Sequence, residues 1–264
     1  MPINKKVLAV IPTRWASVRF PGKPIADILG KPMVQWVAEQ AEKSSLVTDV
    51  IIATDDNRIY DVVLGFGGKV VMTSPNHQSG TDRVAEVARN IECDIIVNIQ
   101  GDEPLIPPDN IDLVIKPLLD SDELVVSTLM TSISSSSEML DPDICKVVVD
   151  DAGCALYFTR TPIPYNRDFE CMGSQMDPNQ KVLGHKHIGI YAYKKSFLLK
   201  FSNMKTSRLE NIEKLEQLRI LENRYSIKVI ETEQNSIGVD RPGDIEKIIK
   251  NIAKKSSIKT LLIF

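Results

Sequence analysis

Residues 94–104 read DIIVNIQGDEP, in which a mostly apolar run leads into a glutamine, a glycine, two acids and a proline. A strand that is apolar on both faces is typical of a parallel sheet covered by helices on both sides. KVLAVI at residues 6–11 and DVIIAT at residues 49–54 have the same character. Each is followed by a stretch with apolar residues at helical spacing, so the sequence predicts an α/β, doubly wound, mainly parallel sheet.

The sequence changes character near residue 131, where a serine run leads into the β-rich segment CKVVVDDAGCALYF. Asp150 to Gly153 supply turn residues between two apolar runs, which predicts a hairpin. Residues 162–184 are rich in Pro, Asn, Asp and Gly, which predicts an exposed excursion. We expect one domain over residues 1–264, made of a first part at 1–130, a hairpin-containing insertion at 131–223 and a return to the main sheet at 224–264.

Two helices are predicted in the last quarter of the chain. From Leu209 to about Asn223, apolar residues recur at helical spacing, which predicts one amphipathic helix. Pro242 is predicted at the start of a final helix, because proline suits the first helical turn.

Composition excludes several classes of protein. Lys and Arg number 32 against 35 Asp and Glu, a net charge of −3, so we expect no nucleic-acid partner held by a general basic field. No apolar run reaches the length of a membrane helix and no leader pattern is present, so we expect a cytoplasmic protein without membrane contact. Cys93, Cys145, Cys154 and Cys171 have no C-x-x-C spacing, which predicts buried or incidental thiols and no zinc site.

The loop after the first predicted strand, IPTRWASVRFPGKP at residues 11–24, carries Arg14, Arg19 and Lys23 together with Ser17. Guanidinium and ammonium groups bind phosphate oxygens, and loops at the carboxyl ends of strands are where doubly wound folds receive phosphates. A Walker loop is absent. The pattern favours a polyphosphate site over the alternative of a solvated surface loop.

Two acids at separate places in the sequence are candidate metal ligands. Asp102 follows the buried strand directly, and Asp240 lies in the turn IGVDRP. Magnesium takes one or two protein carboxylates and fills its other positions with water and substrate phosphate oxygens. The competing interpretation is that each aspartate is a turn residue or helix cap. We expect that Glu103 does not bind the metal directly.

The segment HQSGTDR at residues 77–83 predicts a turn that enters a helix, capped by Ser79 or Thr81. Gly80 lets backbone amides approach a ligand. Arg83 in the first turn opposes the helix dipole, so we expect it to have a partner, either a base carbonyl or a nearby carboxylate. ATDD at residues 53–56 is a second candidate for reading a base edge.

In this order, IPTRWASVRFPGKP, ATDD, HQSGTDR, VNIQGDEP, KVVVDDAGCALYFTRTPIP, HIGIYAY, LEQLRILE and GVDRPGD resemble the 3-deoxy-manno-octulosonate cytidylyltransferases (CMP-Kdo synthetases). The resemblance runs from Ile11 to about Glu246. It implies transfer of CMP from CTP to the C2 hydroxyl of 3-deoxy-D-manno-octulosonate (Kdo), with release of pyrophosphate, for lipopolysaccharide biosynthesis. It also implies a nucleotide-diphospho-sugar transferase-like fold, Mg²⁺ as cofactor and a homodimer, with residues 140–190 contributing to the interface and the sugar pocket.

The resemblance also assigns roles to individual residues. The catalytic set is Arg14, Lys23, Asp102 and Asp240, of which Asp102 and Asp240 hold the metal. The CTP-binding set is Pro12, Arg14, Ser17, Arg19, Lys23, Ala53, Thr54, Asp55, Ser79, Gly80, Thr81 and Arg83. The sugar-binding set is Gln100, Arg160, His187, Tyr191, Glu216 and Gln217, with Arg160 expected to pair with the Kdo carboxylate.

The sequence departs from the family at a few positions, and two other functions remain open. Trp15 stands where relatives often carry Tyr, and Arg224 where many have a helix-ending glycine. An 8-amino-Kdo or acylneuraminate cytidylyltransferase would differ only in the sugar pocket. A non-catalytic nucleotide-binding scaffold is the alternative from another class of protein.

Overall fold

The structure is a computed structural model that describes residues 5–17, 19–165 and 182–261, with side chains as far as residue 254. Most of the predicted excursion at 162–184, together with Cys171, lies outside the described residues. The strands are β1 (Val7–Thr13), β2 (Asp27–Ile28), β3 (Lys31–Pro32), β4 (Asp49–Thr54), β5 (Val70–Met72), β6 (Ile95–Asn98), β7 (Val126–Ile133), β8 (Lys146–Val149), β9 (Ala155–Thr159), β10 (Gly184–Lys194) and β11 (Lys228–Glu231). The α-helices are α1 (Met33–Ala41), α2 (Asn57–Gly65), α3 (Gly80–Asn90), α4 (Pro108–Asp120), α5 (Ser136–Leu140), α6 (Lys195–Phe201), α7 (Arg208–Glu213), α8 (Leu218–Glu222) and α9 (Asp244–Leu261).

The chain divides into two compact units, the first made of Met1–Asp112 and Asn235–Phe264 and the second of Leu113–Gln234. In the first unit, β1 lies between β4 and β6 and is parallel to both, while β5 continues the sheet beyond β4 in the same direction. Helices alternate with these strands along the chain. The predicted α/β class with a mainly parallel sheet is confirmed.

The strand order of the first unit determines where its crevice lies. After β5 the chain returns to the other side of β1 to form β6. The connections that leave the carboxyl ends of β1 and β6 therefore diverge, which is the switch point at which α/β sheets bind ligands. Burial supports this arrangement, because Val7 to Ile11 of β1 are each at most 2% exposed. The loops at residues 14–26 and 99–106 begin at this point.

The second unit contains a mixed sheet. β10 pairs antiparallel with β7 through a register shift between Ile188 and Tyr191, and β11 pairs parallel with β7. β8 pairs antiparallel with β10 and with β9. The turn between β8 and β9 spans Asp150 to Gly153, where Gly153 has a φ of 71° that a side chain would strain. The predicted hairpin is confirmed.

The single amphipathic helix predicted from Leu209 to Asn223 is wrong, since the structure forms two short helices there, α7 and α8. Lys214 ends α7 in the left-handed conformation with a φ of 55°. A capping box between Ser207 and Glu210 starts α7. Arg224, predicted to stand in place of a helix-ending glycine, follows α8 at a φ of 64°. The final helix α9 begins at Asp244, two residues beyond Pro242.

Candidate active site

The basic loop after β1 folds back on the carbonyl oxygen of Trp15. That oxygen accepts hydrogen bonds from the backbone nitrogens of Ser17 at 2.9 Å and Gly22 at 3.1 Å. Gly22 has a φ of 71°, and a β-carbon there would lie 3.0 Å from the Trp15 ring. Only glycine combines that backbone conformation with so close a neighbour. The loop is thereby held in a tight turn that presents its cations.

Lys23 brings the two candidate metal ligands together. Its Nζ lies 2.6 Å from Asp102 Oδ2 and 3.9 Å from Asp240 Oδ1, and it donates to the carbonyl oxygen of Val239 at 2.9 Å. The backbone nitrogen of Val239 donates in turn to the carbonyl oxygen of Asp102 at 2.9 Å. Arg19 Nη2 pairs with Asp240 Oδ1 at 3.0 Å. Asp102 and Asp240, predicted from distant parts of the sequence, therefore share the Lys23 ammonium.

The turn that carries Asp240 is fixed by Asp244 at the start of α9. Asp244 Oδ2 accepts hydrogen bonds from the backbone nitrogens of Asp240 at 3.1 Å and Arg241 at 2.9 Å. Hydrogen bonds from the Lys247 side chain and from the Arg241 backbone lower the pKa of Asp244 to about 2. This carboxylate stays charged at neutral pH and keeps the Asp240 side chain beside Lys23.

This pair of carboxylates fits a divalent cation. An ammonium already lies within contact distance of both, which shows that the pair accommodates positive charge. Both carboxylates are partly exposed, with 33% of the Asp102 side chain and 55% of the Asp240 side chain accessible. No group of three or more His, Cys, Asp or Glu suited to a metal occurs among the described residues. Two carboxylates with open positions suit magnesium, which takes substrate phosphate oxygens as further ligands.

Glu103, adjacent to Asp102, does not line the pocket. Its side chain is buried, and burial together with the neighbouring charge of Asp102 raises the pKa of Glu103 to about 7. This position agrees with the expectation that Glu103 is not a direct ligand.

The start of α3 forms another wall. Ser79 caps the helix by accepting from the backbone nitrogen of Asp82 at 3.1 Å, so of the two predicted caps the structure uses Ser79. A β-carbon at Gly80 would lie 3.3 Å from the Pro12 ring, so a glycine allows the helix to approach β1. Arg83 is 4% exposed and donates to Asp55 Oδ2 at 2.8 Å and to the Thr73 hydroxyl. Its partner is thus a carboxylate, one of the two predicted possibilities.

These elements enclose an open pocket of about 330 Å³ in the first unit. Of the predicted site residues, it is lined by Pro12, Arg14, Ser17, Arg19, Lys23, Ser79, Gly80, Arg83, Gln100, Asp102 and Asp240. Ala53, Thr54, Asp55 and Thr81 are not among its lining residues. The carbonyl oxygens of Ala53 and Thr54 accept hydrogen bonds from Thr13 and Thr73 inside the protein, and Asp55 holds Arg83. The place of these four residues in the CTP-binding set remains a prediction.

Several residues of the pocket were not predicted from the sequence, namely Thr13, Pro24, His77, Gln78 and Gly101. His77 contacts the Glu86 carboxylate through Nε2. Burial opposes ionisation of Glu86, yet hydrogen bonds from His77 and the Ser74 backbone lower its pKa overall. His77 and Gln78 belong to the same HQSGTDR segment as the predicted residues, so their position beside Ser79 was the available signal.

The second unit holds the other predicted sugar-binding residues. Arg160 Nε donates to the carbonyl oxygen of Glu213 at 2.8 Å, and its Nη1 donates to that of Pro142 at 2.9 Å. The Glu213 carboxylate accepts hydrogen bonds from the backbone nitrogen of Arg160 at 3.0 Å and from the Thr159 hydroxyl at 2.7 Å. The Arg160 guanidinium is thus fixed by neutral carbonyl groups, which leaves its charge available to an anion.

His187 and Tyr191 lie together on β10, with ring centroids 5.2 Å apart. His187 Nε2 is 2.8 Å from the Thr128 hydroxyl, and Phe158 packs edge-on against the imidazole at 5.2 Å. Tyr191 is 9% exposed, and its buried hydroxyl lies close enough to the Thr128 side chain to influence its pKa, but forms no hydrogen bond of ordinary geometry with any described residue. An unpaired buried hydroxyl of this kind is a candidate for a ligand contact.

The remaining pair of this set lies near Cys145. Gln217 Nε2 is 3.7 Å from Cys145 Sγ, and Gln217 is 7% exposed. Burial raises the pKa of Cys145 to about 12, so its thiol stays protonated at neutral pH. Glu216 lies 3.7 Å from Arg219.

His187 predicts a pH dependence of stability. Burial lowers the pKa of His187 from 6.5 to about 3. Below about pH 6.5 the His187 imidazole is therefore protonated in the unfolded chain but stays neutral in the folded chain. The free energy of unfolding falls by up to about 1.4 kcal/mol per pH unit as the pH drops from there toward 3. His187→Gln is expected to flatten this part of the profile, measured by urea unfolding at pH 7, 6, 5 and 4.

The matched control for this profile is His185→Gln, two residues away on the same strand, where the imidazole lies 3.5 Å from Glu231. It should keep the wild-type slope. An unchanged slope in His187→Gln would show that other groups control acid stability.

Comparison with known proteins gives the site its context. A family model described as cytidylyltransferase matches residues 8–230. The chain therefore belongs to the cytidylyltransferase family, and it is a nucleotidyltransferase. Within that family, it is 52% identical to the 3-deoxy-manno-octulosonate cytidylyltransferase of Geotalea uraniireducens (strain Rf4), over 94% of this chain and 100% of that protein.

Further relatives agree with this placement. The 3-deoxy-manno-octulosonate cytidylyltransferase of Geobacter metallireducens is 49% identical, over 94% of this chain and 98% of that protein. A CMP:2-keto-3-deoxy-manno-octonic acid synthetase solved in complex with CTP is 41% identical, with a TM-score of 0.86 over 95% of this chain and 99% of that one. The resemblance seen in the sequence is confirmed. No described helix is both long and apolar enough to cross a membrane.

Proposed function

We propose that the chain transfers CMP from CTP to the C2 hydroxyl of Kdo, giving CMP-Kdo and pyrophosphate for lipopolysaccharide biosynthesis. The observation that carries the proposal is the pocket in which Arg14, Arg19 and Lys23 face Asp102 and Asp240. Cations that face a pair of carboxylates are suited to a triphosphate that arrives with a divalent ion. The similarity to Kdo cytidylyltransferases supports Kdo as the sugar that accepts CMP.

Catalysis in this proposal comes from positioning and charge. Arg14 and Lys23 hold the phosphates, with Ser17 and Arg19 in support, while the C2 hydroxyl attacks the α-phosphorus in line and pyrophosphate leaves. Asp102 and Asp240 would hold Mg²⁺, which when bound neutralises charge on the phosphate oxygens. Arg83, Gly80 and Ser79 line the same pocket and are the candidates for the cytosine end.

The sugar acid is assigned to the polar residues of the second unit. Arg160 pairs with the Kdo carboxylate, because its guanidinium is oriented by carbonyl oxygens and keeps its charge. The unpaired hydroxyl of Tyr191 and the amide of Gln217 are suited to the sugar hydroxyls.

The test is release of pyrophosphate from CTP, measured with Kdo and Mg²⁺ present and with each omitted in turn. Turnover should require all three. Binding of CTP without release under any condition would favour the scaffold alternative. Competition between Kdo and 8-amino-Kdo or an acylneuraminate at fixed CTP decides the sugar, and preference for either competitor would overturn Kdo as the substrate while leaving the chemistry in place.

Arg160→Lys tests the sugar carboxylate contact. Lysine keeps the charge but loses the planar fork, so we expect the KM for Kdo to rise about tenfold while the KM for CTP stays the same. Steady-state kinetics with each substrate varied would measure both constants. A KM for Kdo within twofold of wild type would remove Arg160 from the sugar site.

We also propose a cytoplasmic homodimer. CTP is an intracellular nucleotide, so an enzyme that consumes it works where it is made. The second unit exposes large apolar side chains, with Leu140 and Leu156 each 61%, Ile212 65% and Tyr165 79% exposed. Where exposed apolar side chains form a contiguous patch, they mark a protein contact surface. Light scattering after size exclusion should give twice the chain mass, and Leu156→Lys should shift it toward the monomer.

A further inference from the structure

The ring of Trp15 is enclosed between the basic loop and the start of α2. Gly22 lies against the ring, since a β-carbon there would be 3.0 Å from the nearest indole carbon. Arg58 contributes a second contact, because its guanidinium carbon lies 3.4 Å from the centroid of the Trp15 ring. This distance is that of a flat stack, in which the cation meets the electron-rich face of the indole. Trp15 is therefore fixed from both the loop and the helix.

Asp56 holds the guanidinium in place. Arg58 Nε donates to Asp56 Oδ1 at 2.9 Å and Nη2 donates to Oδ2 at 2.6 Å, so the pair is bidentate. Asp56 also caps α2 by accepting from the backbone nitrogen of Arg58 at 3.0 Å. A bidentate pair fixes the plane of the guanidinium as well as its position, and a stack on indole needs that plane.

Helix stability does not explain this arrangement. A cation in the first turn of a helix opposes the helix dipole. The Arg58 side chain is 57% exposed, and exposed ion pairs contribute little to stability. What the arrangement fixes is Trp15, whose carbonyl oxygen closes the loop that carries Arg19 and leads into Lys23.

We propose that Arg58 is a positioning residue for CTP, acting through Trp15 to hold the basic loop in its binding conformation. The proposal rests on the proposed function of the pocket. Asp55, the residue before Asp56, gives the same turn a second role. Its Oδ2 lies 2.8 Å from Nη2 of Arg83 and holds that side chain in the pocket wall. The turn that begins α2 thus anchors both the loop and α3. A loop fixed before the ligand arrives loses less freedom on binding, which strengthens affinity.

The experiment measures CTP binding by calorimetry and the kinetic constants of Arg58→Ala. We expect the Kd and KM for CTP to rise about fivefold while kcat and the KM for Kdo stay within twofold of wild type. The matched control is Lys31→Ala, which removes a cation 5.2 Å from the ring of Trp36, a residue that does not line the pocket. That variant should bind CTP as the wild type does.

Two further variants separate stacking from charge. Arg58→Lys keeps the charge without the planar stack, so it should bind CTP as weakly as Arg58→Ala; wild-type affinity would overturn the proposal in favour of simple electrostatic attraction. In a Trp15→Ala background, Arg58→Ala should weaken binding no further, and additive losses would also overturn it. A wild-type protein that fails to bind CTP would instead refute the proposed function.

Discussion

Asp102→Asn is expected to lower turnover at least about a hundredfold while leaving the fold intact. The amide has the same size as the carboxylate and still accepts a hydrogen bond from Lys23, so thermal unfolding should change little. The amide lacks the negative charge that a divalent cation needs. In the wild type this charge also balances the ammonium of Lys23, whose Nζ lies 2.6 Å from Asp102 Oδ2. Pyrophosphate release at saturating CTP, Kdo and Mg²⁺ measures the effect.

Asp49→Asn is the control for this substitution. Asp49 pairs with Lys69 at 2.7 Å and is also an aspartate–lysine pair of the first unit. Asp49 is the first residue of β4 and so lies at the amino end of the parallel strands, whereas the pocket lies at their carboxyl ends. Its turnover should match the wild type. Wild-type rates in Asp102→Asn would remove Asp102 from the metal site.

Arg219→Met is expected to have the largest effect on stability. Arg219 and Glu210 are 8% and 9% exposed, and Arg219 Nε donates to Glu210 Oε2 at 2.8 Å. Removing the cation leaves a carboxylate buried without its partner, which costs about 3–5 kcal/mol. Urea unfolding at neutral pH, followed by circular dichroism, measures the free energy of unfolding.

The double variant Glu210→Met, Arg219→Met separates the ion pair from packing. The double variant buries two apolar side chains of similar length, so it should recover most of the lost free energy of unfolding. About 1 kcal/mol should stay lost, because Glu210 also forms the capping box with Ser207. Lys116→Met, which removes an exposed pair to Asp120, should shift stability by less than about 0.5 kcal/mol. A double variant as unstable as the single one would assign the loss to packing.

The sequence predicted most accurately those features that depend on local pattern. Buried strands such as β6 are largely apolar on both faces, which is typical of a parallel sheet covered by helices. The loops at their carboxyl ends follow from the geometry of such sheets, which is why Arg14, Lys23 and Asp102 were predicted together. The hairpin at Asp150 to Gly153 followed in the same way from turn residues.

Apart from the pairing of Asp102 with Asp240, which came from the family resemblance, features that depend on contacts between distant segments were not predicted. The break after α7 occurs because Lys214 adopts a left-handed conformation, while the apolar spacing continues through it. Arg219 turns back to Glu210 across that break, a contact that periodicity does not encode. For Arg83, the helix dipole predicted that a partner exists, but only the fold selects Asp55.

The position of Lys23 has a consequence for the order in which charge enters the site. In the resting protein this ammonium is a counter-ion shared by the two acids, and Arg19 adds a second positive charge beside Asp240, so both carboxylates are balanced before any substrate arrives. A free divalent ion at Asp102 and Asp240 would have to displace the Lys23 ammonium, which is attached to the chain. For an ion that arrived with a triphosphate this displacement would cost less, because the phosphates would offer the displaced ammonium a new anionic partner.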